Sequence, residues 1–141
     1  TEEAIRGIYD SLRATSLAIK DDLVLPGGGS THSRVSYHVR SEMESEPGRE
    51  RIAMEAFARA METIPAVLAE NAGQSPLDKV LELRAEARKE NQAMGVDRNG
   101  AVSPIEDVWH SLSVISESLE TSTETAISML RIDQVVSSRG D

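Results

Sequence analysis

Residues 49–73, RERIAMEAFARAMETIPAVLAENAG, decide the architecture. Ala53, Ala56, Phe57, Ala60, Met61 and Ile64 recur there at i, i+3, i+4, i+7, i+8 and i+11, the pattern of a helix with a wide apolar face. Pro65 lacks an amide proton and crowds the preceding turn, so it is expected to kink or break this helix. Val67 and Leu68 extend the apolar turn, and Gly73 ends the segment. Met54, Phe57 and Met61 read as core rather than as a binding surface.

The same period runs through most of the chain. Ile5, Ile8, Leu12 and Ile19 predict a helix over Glu2 to Lys20 with one buried face. Val35, Val39 and Met43 predict a second, started by Ser30 or Thr31 as N-cap and ending near Pro47 and Gly48. Ser75-Pro76-Leu77-Asp78 reads as a helix start, with Ser75 as cap, Pro76 in the first turn and Asp78 placed to return a bond to the cap. That helix should run to about Gln92. From Gly95 to Pro104 the chain is rich in turn residues, and Asn99-Gly100 permits a short β-hairpin. Leu112, Ile115, Leu119, Ala126 and Leu130 predict a last long helix over about Trp109 to Asp133, fraying from Val135. The expected fold class is all-α, a helical bundle with a small loop or β-hairpin insertion.

Composition narrows the function. The chain has 141 residues, enough for one domain or part of one. Its only aromatics are Tyr9, Tyr37, Phe57 and Trp109, so the core must be aliphatic, which favours close helix packing. A net charge of −9 repels a nucleic-acid backbone and an anionic membrane surface, so neither is an expected partner. Cysteine is absent, which excludes disulfide and thiolate chemistry. No apolar run approaches a membrane span and the N-terminus has no signal-peptide pattern, so a cytoplasmic protein is expected. Only three of the 15 basic residues are lysines, a balance that suggests adaptation to salt.

The run Leu25-Pro26-Gly27-Gly28-Gly29-Ser30 lies between two predicted helices, and three glycines would let backbone amides approach a phosphate. It is not a Walker A loop, because Ser30-Thr31-His32 follows where a lysine is needed. Pattern alone leaves a flexible joint and a phosphate site both open. Asp10 is about 200° around its helix from Ile8 and Leu12, facing away from the apolar stripe, as a solvated aspartate would. Gly95-Val96-Asp97 fits an ordinary hydrogen-bonded turn. His32 and His38 are six apart and do not share a helical face, so no metal is assigned to protein ligands alone. Ser33 and His32 adjoin without an orienting third group, which makes nucleophilic catalysis there a poor reading.

The glycine run, residues 49–73, Thr123-Glu124 and Leu130-Arg131-Ile132-Asp133 stand in the order and spacing of group II chaperonins, and the chain resembles the later part of such a thermosome- or TRiC-type subunit. The resemblance covers nearly the whole chain, most strongly Pro26 to Leu83. It implies that residues 1–20 are an intermediate-domain helix and residues 21–141 the later part of the equatorial, ATP-binding domain. It implies that Gly27, Gly28 and Gly29 pack their backbone on the nucleotide, Gly28 closest, and that Gly95, Val96 and Asp97 face the adenosine. Asp10 takes the place of the carboxylate that orients the water attacking the γ-phosphate and accepts its proton. His110 aligns with an acidic residue that contacts the sugar or base, in a stretch shorter here between Asp97 and Thr123; Glu106 and Asp107 lie close by. His32 replaces a usual acidic residue after the glycines.

The resemblance further implies ATP and Mg2+ as cofactors of the complete parent, other subunits of a double ring as partners, and unfolded proteins as clients gripped by an apical domain. The family's Asn-Asp-Gly and Gly-Asp-Gly-Thr-Thr stretches, which bind phosphates and magnesium, and its apical domain are not in this sequence. The isolated chain is therefore expected to bind MgATP weakly or not at all, to lack turnover, and to self-associate through apolar surface. The alternative expectation is a stand-alone helical interaction module with this fold and no ATPase activity.

Overall fold

A computed structural model describes residues 2–89 and 92–137, with side chains to residue 132. Among them are five helices, α1 (Glu2–Asp21), α2 (Ser30–Met43), α3 (Glu50–Asn71), α4 (Pro76–Ala87) and α5 (Leu112–Ser137). Four three-residue strands accompany them: β1 (Val24–Pro26), β2 (Met94–Val96), β3 (Val102–Pro104) and β4 (Trp109–Ser111). The expected helical bundle with a small hairpin insertion is what forms. It divides into two compact units, Leu25–Trp109 and a second made of Thr1–Val24 with His110–Asp141. Strand β1 is paired with β4 and β2 with β3.

In the unit Leu25–Trp109, α3 packs between α2 and α4, and β2 pairs antiparallel with β3, Met94 opposite Pro104 and Val96 opposite Val102. Ala69, Leu83 and Val96 form a buried cluster, with Met94 and Val102 against it. Ser75 caps α4 as its sequence predicts: its Oγ accepts from the Asp78 amide at 3.4 Å and Pro76 stands in the first turn. The hairpin also forms where Asn99-Gly100 places it.

Several expectations are corrected. Pro65 does not end α3, which continues to Asn71. Proline inside a helix costs about 3 kcal/mol in isolation, but Pro65 is fully buried and its ring seats the glycine turn described below. The buried face of α3 is Ala58, Met61, Glu62, Pro65 and Ala69, whereas Ala53, Ala56, Ala60 and Ile64 are exposed. Buried charge, invisible to an apolar count, turns the helix. The buried face of α2 is likewise Ser30, Ser33 and Ser36, with Val35, Val39 and Met43 half-buried. Small hydroxyl residues let α2 lie close to α3. Neither Ser30 nor Thr31 caps α2: Gly29 is the cap residue, in a left-handed conformation, Ser30 is already helical, and Thr31 Oγ1 donates to the Pro26 carbonyl at 3.2 Å. α2 ends at Met43, short of Pro47, and α4 at Ala87; residues 90 and 91, within the predicted extension to Gln92, lie outside the described residues.

In the other unit, α1 spans its predicted length but buries no residue; Ile5, Ile8, Leu12 and Ile19 are all exposed. Only Leu17, Ala18 and Asp21 are half-buried, near the end of the helix that meets α5. The predicted start of α5 at Trp109 is instead strand β4, and the helix begins at Leu112. There Asp21 Oδ2 accepts from the Ser113 amide at 2.8 Å, and the nearby Ser113 hydroxyl together with this amide holds the Asp21 carboxyl below its usual range. On α5, Ile115 is buried and Leu119 half-buried, while Leu112, Ala126 and Leu130 are exposed. The helix persists through Ser137, past the predicted fraying point, and residues 138–141 lie outside the described residues. Among the described residues no helix is long and apolar enough to cross a membrane.

Candidate functional site

The glycine turn is built by packing constraints at each of its positions. Gly28 and Gly29 have φ of 61° and 73°, a region that side chains disfavour. There is also no room for a side chain. A Cβ on Gly27 would stand 2.6 Å from Val108 Cγ1, one on Gly28 2.7 Å from the Val96 carbonyl, and one on Gly29 2.8 Å from Pro65 Cβ. The turn is pinned by backbone bonds from Gly27 N to the Val108 carbonyl (2.8 Å), Ser30 N to the Gly27 carbonyl (3.0 Å) and Ser33 N to the Gly29 carbonyl (2.9 Å).

The second strand of the site comes from β2. Val96 N donates to the Gly28 carbonyl at 2.8 Å, and a Cβ on Gly95 would meet the Gly28 and Gly27 carbonyls at 2.9 and 3.0 Å. Two glycine-bearing segments, 68 residues apart from Gly27 to Gly95, thus touch backbone to backbone. Asp97 follows at once, but its carboxylate serves the hairpin: Oδ1 accepts from the Asn99 and Ala101 amides at 2.8 and 3.0 Å, and Oδ2 from Ser103 Oγ at 3.1 Å. The Ala101 amide and then the Asn99 amide hold that carboxyl below its usual range.

Donors remain where an anion could use them. The Gly28 and Gly29 amides have no backbone acceptor among the described residues. The dipole of α2 adds partial positive charge at this end of the helix. Ser30 Oγ is buried without a hydrogen-bond partner at the same helix start. This set suits a phosphate oxygen. A magnesium ion is different: among the described residues no three His, Cys, Asp or Glu side chains gather into a metal-binding group.

Of the residues singled out from sequence, Gly27, Gly28, Gly29, Gly95, Val96 and Asp97 therefore come together. Asp10, exposed on α1, and His110, exposed on β4, belong to the other unit. Sequence reasoning missed the scaffold beneath the turn. Glu62 on α3, only 7% exposed, accepts from Arg84 Nε (2.7 Å) and Nη2 (2.6 Å), from Arg40 Nη1 and Nη2, and from Ser36 Oγ (3.0 Å). Arg40 also reaches Glu55, at 3.0 Å from Nε. Burial alone would push the Glu62 carboxyl up, but the bonds from Arg84, Arg40 and Ser36 outweigh it and hold it at about 2. The Arg40 guanidinium is correspondingly raised: its desolvation, which works the other way, is outweighed by Glu62 and Glu55.

Comparison with known proteins identifies the family. The family model for the TCP-1/cpn60 chaperonin family matches residues 1–139. Thermosome subunit beta of Archaeoglobus fulgidus is 40% identical over 142 residues, covering 99% of this chain and 26% of that protein. Thermosome subunit 1 of Haloferax volcanii is 40% identical over 138 residues, covering 96% of this chain and 25% of that protein. The open-state monomer of a group II chaperonin from Methanococcoides burtonii superposes with a TM-score of 0.81 at 32% identity, over 89% of this chain and 32% of that one. The chain spans about a quarter of the length of the curated relatives it matches. By sequence and by fold, it belongs to the TCP-1/cpn60 chaperonin family.

Proposed function

We propose that this chain forms the later part of the nucleotide pocket, and part of the ring contacts, of an ATP-driven group II chaperonin that folds other proteins. Residues 1–20 act as an intermediate-domain helix and residues 21–141 as the later portion of the equatorial domain. The observation that carries the reading is the backbone contact of Gly28 with Gly95 and Val96 at the start of α2, where the Gly28 and Gly29 amides can take a phosphate. In this reading Gly27, Gly28 and Gly29 lie along the phosphates, and Gly95, Val96 and Asp97 lie on the adenosine side with His110 contributing to that contact. Asp97 contributes by shaping its hairpin, since its carboxylate is engaged there. Asp10 orients the attacking water and takes its proton. Mg2+ would supply charge to offset the phosphate oxygens, and the described residues gather no carboxylate or imidazole group to hold it.

Other subunits of a double ring are the partners, and unfolded proteins the clients, reached through an apical domain outside this sequence. A cytoplasmic site of action goes with that role. The isolated chain binds MgATP weakly or not at all, and its exposed α1 and α5 faces give it a tendency to self-associate.

The decisive experiment replaces the corresponding quarter of the Haloferax volcanii thermosome subunit 1 with this chain and measures ATP hydrolysis and refolding of a denatured client. The expected result is turnover that Asp10→Ala abolishes. A well-assembled chimera with no turnover removes the ATPase reading in favour of a helical interaction module of the same fold, and unchanged turnover in Asp10→Ala removes Asp10 from the mechanism. Titration of the isolated chain with micromolar affinity for MgATP would contradict the split pocket.

A further inference from the structure

The charged cluster at Glu62 lies where both walls of the glycine turn are anchored. Ser36 and Arg40 are on α2, the helix that starts at the turn, and Ser36 is six residues, about 9 Å, from Ser30. Arg84 is on α4, beside Leu83, which packs with Ala69 and with Val96; Val96 in turn donates to Gly28. α3 supplies both the carboxylate and, one turn later, Pro65, the seat of Gly29. Five donors converge on the two Glu62 oxygens, more than the roughly four lone-pair directions of a carboxylate. Arg40 Nη1 also donates to Ser36 Oγ at 2.6 Å, which commits the serine proton to Glu62. The two guanidinium forks fix angle as well as distance.

We propose that Glu62 is the positioning residue of the phosphate-binding turn: by gripping α2 through Ser36 and Arg40, and α4 through Arg84, it sets the glycine turn in register with β2. Calling the turn phosphate-binding rests on the function proposed above; the mechanical claim does not. Loss of the Glu62 charge should loosen the turn while α3 stays helical. Glu55 touches the cluster only through Arg40 and should be dispensable for this role.

The test is amide hydrogen exchange on the full chain. In Glu62→Gln the Ser30 and Val96 amides, which bond to the Gly27 and Gly28 carbonyls, should exchange about tenfold faster relative to amides in the middle of α3. Glu55→Gln should leave them within about twofold of the parent chain. Unchanged Ser30 and Val96 amides in Glu62→Gln, a uniform acceleration that includes α3, or the same local effect from Glu55→Gln each overturns the proposal. Should Glu62→Gln not fold, Arg84→Gln, at a half-exposed position, keeps the question open to refutation, with faster Val96 exchange expected and no change overturning it. In the thermosome chimera, Glu62→Gln should raise the KM for ATP more than it lowers kcat. A chimera without turnover would refute the functional reading and leave the exchange result standing, whereas turnover with an unmoved KM would refute the positioning role alone.

Discussion

Gly29 rests directly on Pro65, so closely that a Cβ added to the glycine would lie 2.8 Å from the proline Cβ and 3.0 Å from its Cα. Pro65 is fully buried and rigid, so it cannot move aside. Gly29→Ala therefore combines a disfavoured φ with overpacking and should cost roughly 2–3 kcal/mol in a urea titration. Gly73 has the same φ of 73° but open space around its Cβ position. Gly73→Ala should then show the conformational cost alone, about 1 kcal/mol. Equal losses in the two variants would mean that the proline seat contributes nothing.

That contact also marks how far sequence reasoning reached. Helix existence, the Ser75 cap and the Asn99-Gly100 hairpin follow from local chemistry and were legible. So were the glycines of the turn, because few other residues suit such a conformation. Which face each helix buries was not. On α3 the inward residues include Glu62 beside Met61, and on α2 they are serines, so an apolar count finds the buried face only in part. Pro65 is a helix breaker by local rule, and only tertiary packing on Gly29 explains its place within α3. On α1 the periodic stripe is real, yet its apolar side chains are exposed. Periodicity reports which face could be buried, not what stands opposite.

The Glu62 cluster makes stability depend on acid. Its carboxyl is held at about 2 in the folded chain against an ordinary 4.5, a depressed value. The contribution is therefore fully present above about pH 4.5 and is lost as pH falls toward 2. Urea midpoints should fall through that window, and Glu62→Gln should flatten the fall while lowering the midpoint at neutral pH. A residual slope should remain, since Glu55, Asp21 and Asp97 are also held low. An unaltered slope in Glu62→Gln would show that the guanidinium bonds do not select the charged form.

Asp97 offers a cleaner separation of carboxylate geometry from charge. Its Oδ1 accepts two amide protons within the hairpin, a task that an asparagine oxygen can perform. Asp97→Asn should retain slow exchange at the Ala101 amide, and Asp97→Ala should lose it, with α3 unaffected in both. If Asp97→Ala leaves the Ala101 amide protected, the strand pairing alone holds the turn.

Gly7 is the one glycine inside α1, and a Cβ there meets nothing within 4 Å. Its φ is not in the left-handed region, so alanine fits without strain. Gly7→Ala should stabilise α1 by about 0.5–1 kcal/mol through helix propensity alone. The readout is slower amide exchange across α1. No change would mean that α1 is held by contacts strong enough to mask its intrinsic propensity, which its exposed side chains argue against.

Salt should stabilise the chain. A net charge of −9 repels itself in the compact state. At about 1 M salt the Debye length is about 3 Å, which screens that repulsion and also weakens exposed pairs such as Arg98–Asp107. Exposed pairs contribute little, about 0–1 kcal/mol each. The Glu62 cluster is buried and screened less. Relief of repulsion should win, so the melting temperature should climb steadily with KCl up to about 2 M, in the regime where the Debye length is shortest. Glu62→Gln should climb in parallel from a lower start. A melting temperature that stays flat or falls with KCl would mean that surface pairing, not net repulsion, governs the response of this acidic chain.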